Sequence, residues 1–471
     1  MPEQYGFSDV EIKGLWLQTP GNKDYNLIPH LTELNIYESV FSNSLTANIT
    51  LSETVNLPTK FHIVGEEMVV MDITIPGMSD SQDPKSIKQM NPLTMFVHKI
   101  TNHKLMGPQA VQYSLELVSL QYKNNLHSRV SKSYSDMRAD RIAFDIWMNY
   151  LHPVAPVPLG RQTGGIFQPT SRKESCVIPN WTPYRAINWL AKRSNPSKNH
   201  KAANYVFFES LSGSNFVSLD SLIQGESVIL FTREPNKNDP THVKYFELGA
   251  VVKCDSIDII HEPEIIKNTT NGCYASKLIT HDIVTKKIVQ HDYDLEKSWN
   301  DTSHLSKDPP VRFVSQLLGT PSPRTSSSPV VNTSYAPPPT GKSPNRRALS
   351  LSRCTDSAIM FAPKHNQMYA QDYKHEYDNE VENWKLQRKS QLSLLDGTKF
   401  TIQAGAMPFL RVGMCADIHI MSPESYVKHD SFEDKKMSGK CLITSIRHIM
   451  SQEAGNREYK VQIDLVKDGV G

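Results

Sequence analysis

The chain has 471 residues and a mass of 53.3 kDa, which at ~100–200 residues per domain sets an expectation of about three or four domains. With 51 Lys plus Arg against 49 Asp plus Glu, no global field draws the chain onto phosphates or acidic lipid, which excludes a polybasic mode as the main one. Six cysteines (Cys176, Cys254, Cys273, Cys354, Cys415 and Cys441) without a CxxC pair argue against a zinc ribbon or a disulfide scaffold. No apolar run approaches the ~20 residues of a membrane helix, and Met1–Gly14 carries Glu3, Asp9, Glu11 and Lys13. No secretion signal or membrane anchor is expected.

The first 120 residues read as antiparallel β structure, because apolar side chains recur at every second position between polar turns. Leu45, Ala47, Ile49 and Leu51 form one such face; Val69, Met71, Ile73 and Ile75 form another before Pro76-Gly77; Val111, Tyr113, Leu115 and Leu117 form a third. A half-exposed barrel or sandwich fits this pattern.

From about 123 to 213 the period becomes helical. Ile142, Ile146 and Tyr150 share a stripe with Trp147 and Leu151 beside it, and Ser135 or Asp136 is placed to cap that helix. A second helix is expected from Thr182-Pro183 through Leu190 and Ala191 to Asn195-Pro196. Tyr205–Glu209 and Phe216–Leu219 then read as two strands joined near Gly213.

Between 301 and 355 the composition shifts, with prolines concentrated from Pro309 to Pro344 and the run Thr325-Ser326-Ser327-Ser328. The basic residues Lys307, Arg312, Arg324, Lys342, Arg346, Arg347 and Arg353 outweigh Asp301 and Asp308 there. Such a stretch cannot bury enough apolar surface to order itself, so a solvated, disordered insertion is expected, with a tail touching nucleic acid or an acidic surface as the alternative. Acidic residues from Asp372 to Glu382 then open a helix reaching Trp384 and Arg388. Alternation returns at Phe400, Ile402 and Ala404, at Ile418 and Ile420, and at Tyr459, Val461, Ile463 and Leu465.

A single offset of 346 lays Val97 and Ile100 on Ile443 and Ile446, and Tyr113, Leu115 and Leu117 on Tyr459, Val461 and Ile463; a two-residue slip puts Val64-Gly65 over Val412-Gly413. Any two antiparallel hairpins share period-two patterning, so the residues alone leave duplication and coincidence open.

Catalytic chemistry is not legible. Gly341-Lys342-Ser343 ends like a phosphate loop, but Ala336 stands where the first glycine belongs. His98 with His103, and His281, Asp282, His291, Asp292 and Asp294, lack the helical spacing of a zincin and read as solvated strand ends. No Gly-x-Ser-x-Gly elbow occurs, and Cys176 sits among Lys173, Glu174 and Pro179 without a neighbouring histidine. Paired carboxylates for glycoside cleavage stay open, since their separation is three-dimensional. No catalytic, cofactor-binding or metal-binding residue is assigned and no cofactor is expected.

One segment carries a resemblance. Val177-Ile178-Pro179-Asn180-Trp181-Thr182-Pro183-Tyr184-Arg185-Ala186-Ile187-Asn188-Trp189-Leu190-Ala191, followed by Asn204–Glu209 and Phe216–Leu222, resembles the baseplate hub proteins of T4-type contractile-tailed bacteriophages, which are related to the barrels of type VI secretion spike proteins. Leu34–Val40 with Gly65-Glu66-Glu67 is similar to the family's first barrel; Ser438–His448 and Asp464–Asp468 are similar to its closing strands. Trp181 and Trp189, eight apart, would pack one helix face into the core. The resemblance covers most of the chain outside about 251–395, and the basic insertion departs from it.

It implies an α+β, mainly β fold with two tube-like antiparallel β-barrels related by internal duplication and an intervening α/β domain. The expected organisation is a first barrel at 1–122, the α/β domain at 123–213 continued by 251–300, a second barrel from 214–250 and 395–471, the insertion at 301–355, and a connecting helical segment at 356–394. It further implies a non-enzymatic structural role: a homotrimer forming a pseudo-sixfold ring in the virion tail baseplate, assembled in the host cytoplasm. Its implied partners are a central spike protein, lysozyme-bearing or not, tail tube initiator or tube proteins, neighbouring baseplate proteins, and DNA passing through the lumen without sequence-specific binding. The alternatives are a phage-encoded cell-wall hydrolase or a type VI-like spike component, for which a long β-helix of short repeats would be expected after the barrels.

Overall fold

A computed structural model describes residues 10–311 and 355–469, apart from 20–22, 66, 75–88, 108, 153–164, 236–239, 248–249, 262–263, 365–379, 408, 423–432, 435 and 454–455. About 49% of the described residues are in strands and 24% in helices, so the mainly β reading stands, and the large sheet curls into a half-barrel. Among the described residues no helix is long and apolar enough to cross a membrane.

The opening portion contributes β1 (Glu11–Thr19), β2 (Lys23–Asn26), β3 (Leu31–Ser39), β4 (Thr46–Glu53), β5 (Met68–Thr74), β6 (Gln89–Leu105) and β7 (Val111–Ser119). The middle adds β8 (Val130–Arg138), β9 (Ile166–Phe167), β10 (Lys173–Trp181), β11 (Tyr205–Ser210) and β12 (Gly213–Ser218). After it come β13 (Ser227–Thr232), β14 (Val251–Lys253), β15 (Ser256–His261), β16 (Ala275–His281), β17 (Ile288–Asp294) and β18 (Ile359–Pro363). The chain closes with β19 (Thr398–Gly405), β20 (Cys415–His419), β21 (Gly439–Glu453) and β22 (Asn456–Lys467).

The opening strands lie side by side in the order β2-β1-β5-β6-β7-β4-β3, and the closing set in the order β14-β13-β20-β21-β22-β19-β15. Taken strand by strand along the chain, these two orders are the same permutation. One strand breaks the match: β13 runs parallel to β20 and to β14, whereas β1 runs antiparallel to both of its neighbours. The alternating faces read from sequence are the buried ones: Ala47, Ile49, Leu51, Tyr113, Leu115, Phe400, Ile402, Val461 and Ile463 are all sealed from solvent in one continuous core.

Four features differ from the sequence expectation. The two β portions are not separate closed barrels but parts of one 14-stranded sheet, because β3 hydrogen-bonds to β21 from Ser39↔Ser445 to Glu33↔Ser451. Alternation within a strand carries no information about a partner some 400 residues away. Second, the single offset of 346 does not hold across the hairpin: Ile100 pairs with Leu115, but Ile446 pairs with Ile463, so the second strand needs 348. Two more residues separate the paired positions in the β21–β22 hairpin than in the β6–β7 hairpin, a shift that alternation does not reveal because every side chain keeps its face.

Third, β14 and β15, placed by sequence with the α/β part, join the large sheet through β13 and β19, while β12 pairs with β11 outside it. Fourth, Ser135 and Asp136 lie in β8 and do not cap the helix Ala139–Ile146, whose first flanking residue is Arg138. The second helix runs Pro183–Arg193 as its proline start indicates. Trp181 ends β10, so it and Trp189 meet edge to face at 5.7 Å on the half-buried rim, under Arg185 and Arg193. The helix of the connecting segment spans Val381–Leu395, with Glu380 as its flanking residue; Asp372, Glu376 and Asp378 lie outside the described residues.

Candidate assembly interface

The junction between the two β portions is built around charge. Alternation in β3 sends Leu34, Ile36 and Glu38 inward, and in β21 it sends Ile446, His448 and Met450 inward, so a carboxylate meets an imidazole inside the sheet stack. Glu38 Oε1 lies 3.0 Å from His448 Nε2, both side chains fully buried; Tyr459 Oη lies 2.7 Å from His448 Nδ1. The Leu211 amide donates to Glu38 Oε2 at 3.1 Å, tying the α/β part to the same carboxylate. The buried Arg411 guanidinium has its pKa lowered by desolvation, and the field of Glu38 opposes that shift. At the exposed rim Arg447 donates to Asn35 and Glu33 across the seam.

A second anchor couples the opening strands to the α/β part. Asn43 and Asn188 exchange amide hydrogen bonds, Asn43 also donates to the Phe207 carbonyl, and the Leu45 amide donates to Glu209 Oε2 at 3.1 Å. Burial pushes the Glu209 carboxyl up to about 7, with the hydrogen bonds from Ser119 and Leu45 opposing it. The folded chain therefore holds this proton more tightly than the unfolded chain, whose glutamate titrates near ~4.3. The stability it contributes is full below that value and is lost as pH rises through about 7. Glu209→Gln should flatten that slope and be more stable than the parent at pH 8 by roughly 3 kcal/mol; urea denaturation from pH 4 to 8 measures it, and parallel curves would refute the assignment.

Asp468, the last residue of the quoted closing segment, accepts from the amides of Leu305 and Ser306 and lies 2.8 Å from His304 Nδ1. Lys201 pairs with Asp301, and the Ser303 amide donates to Asp220. Residues 301–306, the start of the insertion expected to be disordered, are thus tied down by these contacts; 312–354, including Gly341-Lys342-Ser343 and Cys354, lie outside the described residues.

The residues weighed for chemistry fall into structural positions. Asp282 accepts from the amides of Val284 and Thr285 in the β16–β17 turn, Asp294 from the Glu296 amide, Asp292 from Gln290, and His291 contacts Thr280. His98 is exposed, and His103 meets the Tyr113 ring edge to face. Among the described residues no group of three His, Cys, Asp or Glu could hold a metal ion. Burial pushes the Cys176 thiol up to about 11 and those of Cys254, Cys273 and Cys441 to about 12, so these remain protonated at neutral pH. A polar cleft of about 490 Å³ lined by Arg172, His200, Lys201, Tyr293, Glu380 and Gln391 has its charges already engaged, Arg172 with Glu174 and Lys201 with Asp301.

The two β portions share local irregularities as well as strand order. β6 bulges between Val97 and Lys99, and β21 bulges at the position 346 further on, between Ile443 and Ser445. The amide beside each bulge reaches the same place: Val97 N donates to Glu67 O, and Ile443 N to Met414 O, each at 2.9 Å. Gly65 and Gly413, the superposed glycines of the sequence, both have positive φ, at 103° and 87°, a conformation that costs glycine little. Sequence reasoning found these glycines and missed the bulges, which leave alternation intact on either side.

No family model matches the chain, and no curated protein matches it. Solved structures do. The 43 kDa tail protein of prophage MuSo2 from Shewanella oneidensis is 10% identical, with 98% of this chain and 100% of that one covered and a TM-score of 0.47. A tail protein of Neisseria meningitidis MC58 is 10% identical over 97% of each chain, with a TM-score of 0.45. The Escherichia coli c3393 protein, described as a component of the type VI secretion system, is 8% identical, with 98% of this chain and 76% of that one covered and a TM-score of 0.35. The structural neighbours are thus tail, baseplate and type VI spike-related proteins, as the sequence resemblance implied.

Proposed function

We propose that this chain is a structural hub subunit of a contractile-tail baseplate, in which three copies form a pseudo-sixfold ring joining a threefold spike to a sixfold tube around a lumen for DNA. The observation that carries this reading is the shared strand order of the two β portions, β2-β1-β5-β6-β7-β4-β3 and β14-β13-β20-β21-β22-β19-β15. If the two are copies of one module, three chains supply six equivalent places, the condition for matching threefold to sixfold symmetry. The matched bulges and the Gly65 and Gly413 conformations support common descent of the modules, since neither is required by a generic antiparallel hairpin.

On this reading the domains are 1–122 and 214–250 with 395–471, the latter extended by β14 and β15, around the α/β part. The protein acts as scaffold and not as enzyme, in the virion tail, with spike, tube and baseplate proteins as its partners. Engagement of the cleft's charges in ion pairs and the raised cysteine pKa values favour this over a hydrolase.

Two measurements test it. Sedimentation of the full chain, alone and with its spike protein, should give the mass of three copies; a monomer in both cases would overturn the reading. Incubation with peptidoglycan should release no fragments, and release by the purified chain would move it to the hydrolases.

A further inference from the structure

Each chain carries the same strand-edge socket twice, once filled and once open. In the closing portion β20 covers β21 only as far as Leu442, and β3 occupies the edge from Ser445 to Ser451. In the opening portion β5 covers β6 only as far as Phe96, and among the described residues no strand pairs with that same edge from Lys99 to Leu105. By the bulge alignment this open edge is the counterpart of Ser445–Ser451. The strand that would fill it is the counterpart of β3, which is β15: among the described residues it pairs with β19 alone and no strand lies on its other edge.

Resting on the hub reading, we propose that β15 of one copy adds antiparallel to Lys99–Leu105 of β6 in a second copy, repeating between chains the contact that β3 makes with β21 within one. The occupant is a second copy because the in-chain junction is its template, and because head-to-tail repetition of one heterologous contact is what closes a ring. Charge agrees: the open edge of β6 carries Lys99, His103 and Lys104, while β15 and the residue before it carry Asp258 and Asp255. Apolar exposure agrees as well, with Leu105 81% exposed on one edge and Ile260 63% exposed on the other. The counterparts of β6 in β21, Ile446, His448 and Met450, are buried under β3.

The register follows. His448↔Ile36 transfers to Asn102↔Ile259, and Arg447↔Tyr37 to Thr101↔His261, since the β15 register steps past Ile260 at its irregularity. A bulge between Thr101 and Lys104, with Asn102 at φ 54°, has no counterpart in β21; it blunts the free edge against unselective pairing and makes the ladder expected here shorter than the in-chain one.

Directly opposed residues in a sheet have Cβ atoms ~4.5–5.5 Å apart, close enough for an engineered disulfide after small shifts. The full chain bearing Thr101→Cys with His261→Cys, and separately Asn102→Cys with Ile259→Cys, should form reducible cross-links under mild oxidation that end at three chains, with none from any single-cysteine variant. Asp258→Lys should weaken assembly at least tenfold, and adding His103→Asp should restore it. A chain that sediments as three copies yet gives no cross-link in either pair and tolerates Asp258→Lys would overturn this contact and leave the ring reading standing. A chain that stays monomeric throughout, spike protein included, would overturn both.

Discussion

Glu38→Ala is expected to lower stability by about 3–5 kcal/mol, the range for breaking a buried pair from one side. The carboxylate is fully buried against His448, accepts the Leu211 amide, and compensates the buried Arg411 guanidinium. Removing it leaves the imidazole, an amide and a cation facing an apolar seam, each costly without an acceptor. Glu38→Gln keeps an oxygen for one of these donors and should lose less, about 1–3 kcal/mol. Because Glu38 sits where the two β portions meet, denaturation of Glu38→Ala should also split into two transitions as the portions unfold separately. A loss under 1 kcal/mol in a single cooperative transition would show that the seam is held by β3–β21 backbone pairing and not by this network.

Arg388→Ala is the second large effect. From the helix Val381–Leu395 its guanidinium reaches out of the helix and donates to the carbonyls of Ala191, Ala203 and Tyr205, at 3.3, 3.3 and 2.9 Å. Burial lowers its pKa to about 10, so it stays charged at neutral pH. Three carbonyls at the end of the helix Pro183–Arg193 and the start of β11 share this one donor, and charged hydrogen bonds of this kind contribute ~1.5–3 kcal/mol. We expect a loss of about 3 kcal/mol in urea denaturation and faster proteolytic cleavage around Val381–Leu395. Arg388→Lys should recover only part of this, because the lysine side chain is shorter and its compact, strongly hydrated ammonium is costlier to bury than a guanidinium. An unchanged cleavage rate would show that Leu386, Leu394 and Leu395 alone dock the helix.

The strands that carry the account were legible because each buries one face. Leu45 to Leu51, Val111 to Leu117 and Tyr459 to Leu465 alternate cleanly, and each lies where that alternation puts it. Pro183 likewise marked the start of its helix by its fixed φ. What alternation could not show is register and partnership. The two-residue shift between the hairpins of β6 and β21 changes no face, and so left no trace in the pattern. β15 was missed because Ser256-Ile257-Asp258-Ile259-Ile260-His261 exposes its apolar residues at an open edge, so its pattern is not that of a half-buried strand. Glu38 and His448 stood within the quoted segments, but nothing in either segment says that they face each other across some 400 residues of chain.

If the opening and closing β portions are two copies of one module, they occupy equivalent places in a closed ring. Negative-stain images of the assembled full chain, with mass measured on the same sample, address it most directly. Class averages should show a ring of six similar lobes around a central hole, at the mass of three chains. A ring whose lobes number the same as its chains, or an open filament in place of a ring, would contradict it.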